Sequence, residues 1–163
     1  MVEILFKRLN EKAVLPIRKH VSDAGYDLIA TSCKYNPKYD RFEYGVGFAT
    51  KIPLGYYAEI LPRSSNTKTN AYLPNSCGII DSDYTGEWKV FYKLRSSFEQ
   101  LFPEGDYELN LLEMENEYAP YKINGTPIAQ VKFNRVEHTD WIEVDELSDT
   151  ERGADGGLLR EEK

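Results

Sequence analysis

Cysteine and histidine are scarce in this chain, with two of each among 163 residues. Two cysteines cannot build a disulfide framework, and nothing in the sequence indicates an oxidising compartment. We therefore interpret Cys33 and Cys77 as free thiols that pack as small apolar side chains. His20 and His138 lie far apart in the sequence without cysteine partners, which gives little support to a zinc site. The composition thus indicates neither a disulfide scaffold nor a zinc-centred fold.

Long apolar runs are also missing from the sequence. No stretch approaches the roughly 18 consecutive apolar residues that indicate a membrane-spanning helix. The first seven residues, Met1-Val2-Glu3-Ile4-Leu5-Phe6-Lys7, lack the charged region and apolar core of a secretory signal. The sequence therefore predicts a cytoplasmic protein with no membrane partner.

Positive charge is in deficit, because 20 Lys and Arg residues stand against 27 Asp and Glu residues and the formal net charge is −7. A surface that binds nucleic acid regardless of sequence needs clustered basic residues. We therefore expect no nucleic-acid partner. An anionic small substrate is compatible with this charge where a few cations converge locally or a bound divalent ion supplies positive charge.

Aromatic residues are abundant, with twelve Tyr and seven Phe, and this composition favours β-strands. The length suits one domain with a sizeable core. Apolar and polar residues alternate clearly from Phe42 to Phe48 and from Trp88 to Leu94. Strands are predicted at Ile4 to Leu9, Gly25 to Thr31, Phe42 to Ile52, Tyr56 to Leu61, Trp88 to Leu94, Pro127 to Phe133 and Asp140 to Val144. Many short strands at this spacing predict an all-β sandwich, jelly roll or barrel.

Two segments depart from the strand pattern. Residues 95–124 form an acidic excursion within the β domain, for which we expect a short helical turn at Ser97 to Phe102 followed by a hairpin. After Leu147 the chain has little to bury, so residues 148–163 are expected to be a mobile C-terminal arm. The predicted organisation is one β domain over residues 1–147 followed by this arm.

The segment from Gly78 to Glu87 is the most informative in the chain. Two apolar residues run into two carboxylates, an aromatic residue and a turn glycine, in the order Gly78-Ile79-Ile80-Asp81-Ser82-Asp83-Tyr84-Thr85-Gly86-Glu87. This pattern predicts a hairpin whose tip lines a pocket. The alternative for this segment alone is an ordinary polar turn between two strands.

Four further segments join it in a fixed order: Ala24-Gly25-Tyr26-Asp27-Leu28, Pro62-Arg63-Ser64-Ser65, Gly125-Thr126-Pro127-Ile128-Ala129-Gln130-Val131 and Arg152-Gly153-Ala154-Asp155-Gly156-Gly157. In this order and spacing the set resembles the dUTP pyrophosphatase (dUTPase) family. The resemblance implies a jelly-roll-like distorted β-barrel and a homotrimer with active sites at the subunit interfaces, where the C-terminal arm reaches a neighbour. It also implies hydrolysis of dUTP to dUMP and pyrophosphate with Mg²⁺.

The resemblance implies that Asp81 is the catalytic base. Hydrolysis at the α-phosphorus needs a water oriented in line with the leaving pyrophosphate and a group that takes its proton. Asp81 occupies the family's position for this group, and the alternative is that its side chain only caps the turn.

The same motif implies the residues that recognise the nucleoside. Tyr84 lies where its ring can cover the deoxyribose and exclude a ribose 2′-hydroxyl, and the alternative is a Tyr packed into the core. The amide of Asn75 suits the edge of uracil, and the family reads the base with the backbone of Gly78, Ile79, Ile80 and Asp81. Lys89 also falls where the family contacts substrate, although a solvated strand Lys is the alternative.

The other motifs imply phosphate and metal contacts. A loop after Pro62 can present the guanidinium of Arg63 and the hydroxyl of Ser64 to phosphate oxygens, with Ser65 beside them. Gln130 alternates with Ala129 and Val131, so its side chain points to the opposite face and can reach the phosphates. The resemblance gives Asp27 an indirect role near Mg²⁺, through water, with a turn-capping Asp as the alternative.

The fifth motif departs from the family pattern Arg-Gly-x-Gly-Gly-Phe-Gly-Ser-Thr-Gly. This chain reads Arg152-Gly153-Ala154-Asp155-Gly156-Gly157-Leu158-Leu159-Arg160, which lacks the aromatic residue and the Ser-Thr pair. Arg152 can still bind the γ-phosphate. Because a closing segment usually promotes turnover, we expect an activity that depends less on this arm than is usual for the family, or that is low.

Two other functions compete with dUTP hydrolysis. The related dCTP deaminases share the fold and a similar Arg-Ser-Ser segment, but their chemistry needs a glutamate base. A catalytically weak dUTP-binding regulatory protein would keep the nucleotide site and contact another protein through the 95–124 excursion.

Overall fold

The computed structural model describes residues 2–96, 114–148 and 150. These residues form antiparallel strands with two short helical turns, which confirms the predicted all-β fold. The turns are a 3₁₀ turn at Ser64–Lys68 and a π-helical turn at Met114–Tyr118. The strands are β1 Leu5–Arg8, β2 Tyr26–Ile29, β3 Ser32–Asn36, β4 Arg41–Gly45, β5 Phe48–Lys51, β6 Tyr56–Leu61, β7 Ala71–Tyr72, β8 Gly78–Ile80, β9 Lys89–Leu94 and β10 Pro127–Arg135.

The strands lie in three sheets. One four-stranded sheet has the order β2-β10-β6-β8, a second has the order β3-β4-β9-β7, and β1 pairs with β5 in a two-stranded sheet. Apolar side chains from both four-stranded sheets join one core cluster, so these sheets share a single core. No helix in the described ranges is long and apolar enough to cross a membrane.

Aromatic side chains dominate this core. Phe42, Tyr44 and Phe48 are almost fully buried, as the alternation predicts, and so are Trp88 and Tyr92. Burying a side chain of this size contributes about 1.5–3 kcal/mol. The hydroxyls of the two fully buried tyrosines keep hydrogen-bond partners, since Tyr44 donates to the carbonyl of Tyr121 and Tyr92 to that of Ile128.

The single strand predicted from Phe42 to Ile52 is wrong, because the structure divides it into β4 and β5. Gly47 lies between them with φ of 72°, a left-handed conformation that favours glycine. A Cβ at this position would lie 2.4 Å from Nδ2 of Asn10. The break sends β4 to pair with β3 and β9, whereas β5 pairs with β1.

The hairpin predicted at Gly78 to Glu87 is also wrong. Strand β8 pairs with β6, whereas β9 pairs with β4 and β7 in the other four-stranded sheet. Residues 81–88 therefore form a crossover between two sheets rather than a hairpin tip. The apolar pattern located both strands correctly but carried no information about their partners.

The C-terminal predictions have mixed outcomes. The strand predicted at Asp140 to Val144 is wrong, because this segment is exposed and has no strand partner among the residues that the structure describes. The helical turn predicted at Ser97 to Phe102 lies outside the described residues. So does the proposed arm, except for residues 148 and 150.

Candidate active site

The end of β6 and the 3₁₀ turn after it form one side of a cleft with a volume of about 330 Å³. We call it the Arg63 cleft, and its lining includes Lys19, Gly25, Asp27, Arg63, Ser64 and Gln130. Four of these six, Asp27, Arg63, Ser64 and Gln130, are residues that the sequence predicted for phosphate or metal contacts. They come from three separate parts of the chain, which β2, β6 and β10 bring together in one sheet.

Arg63 and Asp27 form an ion pair across this cleft. Nε of Arg63 lies 2.8 Å from Oδ1 of Asp27, and Nη2 lies 3.5 Å from Oδ2. Both side chains are partly exposed, at 30% and 27%. The pair holds the guanidinium at the mouth of the cleft, where it can still turn to an incoming anion.

Gln130 lies between the first motif and the Arg63 loop. Its Nε2 donates a hydrogen bond of 3.0 Å to the carbonyl of Pro62. A Cβ on Gly25 would lie 2.5 Å from Oε1 of Gln130, so a larger residue there would displace this carboxamide from its present position. The side chain thus points away from the buried neighbours Ala129 and Val131, as the strand period predicts.

The 3₁₀ turn carries both predicted serines. Ser64 is exposed and lines the Arg63 cleft, whereas Ser65 is half-buried. The carbonyl of Ser64 accepts a hydrogen bond of 2.7 Å from the hydroxyl of Thr67. The turn therefore presents the Ser64 side chain toward the cleft while its backbone is tied down.

A second cleft, of about 180 Å³, lies along β8 and the start of β9. We call it the Tyr84 cleft. Its lining includes all the residues that the sequence predicted for the base and sugar except Asp81, namely Asn75, Gly78, Ile79, Ile80, Tyr84 and Lys89. β8 is the edge strand of its sheet, so backbone groups on its outer side do not pair within the sheet.

Tyr84 lines this cleft. The residue is 44% exposed, so it is not a core residue. Its hydroxyl donates a hydrogen bond of 2.9 Å to the carbonyl of Glu87. A Cβ on Gly86 would lie 2.7 Å from that hydroxyl oxygen, which shows how closely the ring lies over the backbone.

Asp81 is the first residue of the crossover after β8. It is exposed, its carbonyl accepts a hydrogen bond of 3.2 Å from the backbone N–H of Tyr84, and it lines neither cleft. Arg152 lies outside the described residues. One chain thus places most of the predicted site residues in two separate clefts, on either side of β6.

The spacing of the sheet sets the distance between the clefts. β8 and β10 flank β6, and neighbouring strands lie about 4.8 Å apart, so the clefts belong to strands about 10 Å apart. The charged lining of the Arg63 cleft is balanced, since Lys19 and Arg63 face Asp23 and Asp27. A triphosphate would therefore need a further cation there.

The carboxylates of the Arg63 cleft suit Mg²⁺ in ligand type. Mg²⁺ prefers oxygen ligands, keeps several waters and is held largely by substrate phosphates. The part of the chain that the structure describes holds no group of three His, Cys, Asp or Glu residues that could bind a metal. Asp27, with Asp23 beside it, is thus suited to a water-mediated contact rather than a full ligand cage.

The sequence prediction missed Lys19 and Asp23 in this cleft. Their signal was weak, because both lie in an irregular segment before β2 and belong to no quoted motif. An isolated bridge between Ile17 and Asp27 brings that segment against β2, and the guanidinium of Arg18 lies over the ring of Tyr26, 4.8 Å from its centroid.

Comparisons with known proteins identify the family of this chain. Residues 11–98 match the dUTPase family model. The chain is 36% identical over 156 residues to the deoxyuridine 5'-triphosphate nucleotidohydrolase of Corynebacterium diphtheriae, which covers 94% of this chain and 89% of that protein. It is 34% identical to the protein of the same name from Nautilia profundicola, over 95% of this chain and 96% of that protein.

Solved structures share the fold. A mutant dUTPase of Staphylococcus bacteriophage 80alpha, solved with dUpNHpp, superposes with a TM-score of 0.68 at 23% identity over 93% of this chain and 94% of that chain. A mutant dUTPase of phage phi11 of S. aureus, described with a structural Mg(II) ion, gives a TM-score of 0.67 at 24% identity, covering 90% of this chain and 99% of that chain. The predicted jelly-roll-like fold of the dUTPase type is confirmed.

Proposed function

The chain belongs to the dUTPase family, and we propose from this that it hydrolyses dUTP to dUMP and pyrophosphate. The observation that carries the proposal is the sorting of the motif residues into two clefts. The residues expected to contact the base and sugar line the Tyr84 cleft, except Asp81, and those expected to contact phosphate or metal line the Arg63 cleft, except Ser65 and Arg152.

Uracil is assigned to the outer edge of β8. The free backbone N–H and C=O groups of Gly78 to Ile80 offer the donors and acceptors that the uracil edge needs, and the amide of Asn75 adds one of each. Close packing against this backbone would exclude the methyl group of thymine. The ring of Tyr84 would lie against the deoxyribose and leave no room for a 2′-hydroxyl.

The chemical step is assigned to a water oriented by Asp81. An exposed carboxylate at the end of the base-reading strand can take the proton of a water aligned with the α-phosphorus. Arg63 and Ser64 would hold the phosphate oxygens while pyrophosphate leaves. Mg²⁺ on those oxygens would neutralise part of their charge, with Asp27 orienting a water of its shell.

The two clefts do not face one pocket in a single chain, so we assign the complete site to the interface between subunits of a homotrimer. The tail after β10 supports such contacts. Trp141 is 96% exposed, Ile142 81% and Leu147 86%, although large apolar side chains are normally covered. Among the described strands, β1 also pairs with β5 alone and so has a free edge. The cytoplasmic location stays a prediction of the sequence.

Pyrophosphate release from dUTP, dTTP, dCTP and UTP, with and without Mg²⁺, tests the proposed function. We expect a strong preference for dUTP over the other three and a requirement for Mg²⁺. Ammonia release from dCTP would instead support the deaminase. Tight dUTP binding without pyrophosphate release would support a regulatory protein, which the altered fifth motif makes the second candidate.

A further inference from the structure

The 3₁₀ turn that carries Ser64 and Ser65 has little apolar anchoring. None of the residues in Ser64–Lys68 is buried, and no side chain in the described part of the protein caps the start of the turn at Arg63. A turn of five residues held only by its own backbone would open readily. The side chains of Arg63 and Ser64, which are expected to face the phosphates, therefore need another anchor.

Asn66 provides this anchor from the middle of the turn. Its backbone N–H donates to the carbonyl of Arg63 at 2.9 Å, and its Nδ2 donates to the carbonyl of Ala71 at 3.0 Å. Its Oδ1 accepts hydrogen bonds from the hydroxyl of Tyr121 at 2.9 Å and from that of Thr69 at 3.2 Å. The side chain therefore ties the turn to β7 on one side and to a distant segment on the other.

Tyr121 is itself held rigidly. Its side chain is buried. Its backbone makes two hydrogen bonds with the hydroxyl of Tyr44: the N–H of Tyr121 donates to Oη of Tyr44, and the carbonyl of Tyr121 accepts from it, both at 2.9 Å. Its ring centroid lies 5.0 Å from that of Tyr92. The hydroxyl of Tyr121 is thus a fixed point on the core, 55 residues from Asn66 in the chain.

The charge of Arg63 also reaches this tyrosine. Burial raises the pKa of Tyr121 above the ordinary value, and the positive charge of Arg63 acts in the opposite direction. The hydroxyl therefore stays protonated at neutral pH and can donate to Asn66.

We propose that Tyr121 and Asn66 are positioning residues that hold the Arg63–Ser64 turn ready for the phosphates of the substrate. The inference rests on the proposed dUTP hydrolysis and adds two residues that belong to none of the predicted contact sets. A turn that is fixed before binding spares the substrate the entropy of ordering it. The hydroxyl of Tyr121 acts through Asn66 and does not touch the nucleotide.

Replacing Tyr121 by Phe tests this with a minimal change, since only the hydroxyl is removed. Losing one hydrogen bond of ordinary strength is expected to raise KM for dUTP about fivefold while kcat changes less than about twofold. A purely structural role would lower kcat by reducing the folded fraction and leave KM unchanged. That result would overturn the proposal.

Tyr35→Phe is a matched control. Tyr35 is buried to the same degree as Tyr121, and its hydroxyl donates a hydrogen bond of 2.7 Å to Oδ1 of Asp40, away from both clefts. The two variants should lose unfolding temperature to a similar extent, but only Tyr121→Phe should raise KM. An equal rise in both would contradict the proposal.

A double-mutant cycle with Arg63→Gln tests whether the effect of Tyr121→Phe on binding depends on Arg63. Calorimetry measures binding of dUpNHpp without turnover, so it can be applied to the wild type, both single variants and the double variant. If Tyr121 acts by placing Arg63, Tyr121→Phe should weaken binding about fivefold in the wild type and have almost no effect in the Arg63→Gln background. Additive losses would show that Tyr121 does not act through Arg63.

Asn66→Ala removes the other partner of this hydrogen bond and should raise KM at least as much as Tyr121→Phe.

The same assays distinguish failure of the inference from failure of the proposed function. A wild-type protein that fails to hydrolyse dUTP would refute the function. An active wild type whose KM is unaffected by Tyr121→Phe and Asn66→Ala would refute only the inference.

Discussion

Nε of Arg63 lies 2.8 Å from Oδ1 of Asp27, so the cation expected to bind phosphate is already paired with the carboxylate expected near the metal. The two residues are 36 positions apart in the chain and meet only because β2 and β6 both pair with β10. An incoming phosphate competes with Asp27 for the guanidinium. Binding of the metal and binding of the phosphates should therefore be energetically coupled through this ion pair.

Asp27→Asn should change phosphate binding and the Mg²⁺ requirement in different directions. Without the carboxylate, Arg63 is free for phosphate, so binding of dUpNHpp in the absence of Mg²⁺ is expected to strengthen about threefold, as for a partly exposed pair. The Mg²⁺ concentration needed for half-maximal hydrolysis should rise at the same time. Calorimetry with EDTA and a Mg²⁺ titration of pyrophosphate release measure the two changes. Weaker metal-free binding together with an unchanged Mg²⁺ requirement would contradict this coupling.

Tyr84→Ala should relax selection against ribose. The substitution removes the ring that is proposed to exclude the 2′-hydroxyl, so the ratio of kcat/KM for dUTP to that for UTP should fall about tenfold or more. Tyr39→Ala is a matched control, because Tyr39 is 48% exposed against 44% for Tyr84 and lies in the turn before β4. The control should keep the wild-type ratio. An unchanged ratio in Tyr84→Ala would assign the selection to another group.

The two thiols should react at different rates. Cys77 is exposed and directly precedes Gly78 of the Tyr84 cleft, whereas burial raises the pKa of Cys33 to about 11. At pH 8 only about one Cys33 in a thousand would be a thiolate, so iodoacetamide should alkylate Cys77 first. dUpNHpp should slow this reaction by covering the cleft. Mass spectrometry of timed samples gives both rates, with Cys77→Ser as the control, and faster labelling of Cys33 would be the contradictory result.

The sequence could predict which residues belong together but not how the strands are paired. Motif order brought Asp27, Arg63 and Gln130 into one group, and the structure places them in one cleft. The hairpin prediction was wrong because alternation identifies a strand and its buried face, whereas the choice of a partner strand depends on contacts distant in sequence. Strand β3 was missed because it is an edge strand whose exposed Ser32 and Lys34 weaken the apolar signal.

Other features depend on contacts that are distant in the sequence, although the glycine at position 47 was itself visible there. The break at Gly47 depends on a close approach by Asn10, 37 positions earlier, and the bond from Tyr121 to Asn66 spans 55 positions. Both are products of the packed core rather than of a motif. This is why the sequence motifs indicated the groups that are proposed to face the substrate and not those that are proposed to support them.

Deletion of residues 151–163 tests the altered fifth motif. Because this segment lacks the aromatic residue and the Ser-Thr pair, we expect the truncated protein to keep more than about a tenth of its dUTP turnover. Steady-state kinetics of the truncated and full chains measure the ratio. Total loss of activity would show that the altered segment still closes over the substrate.

Subunit mixing tests whether one site combines the Tyr84 cleft and Asp81 of one subunit with the Arg63 cleft of another. Asp81→Asn and Arg63→Gln should each be almost inactive alone. Refolded together in equal amounts, they should recover about a quarter of the wild-type rate, because three of four random trimers are mixed and each mixed trimer has one intact site of three. Separate refolding followed by mixing without subunit exchange is the control. No recovery of activity in verified mixed trimers would contradict a site shared between subunits.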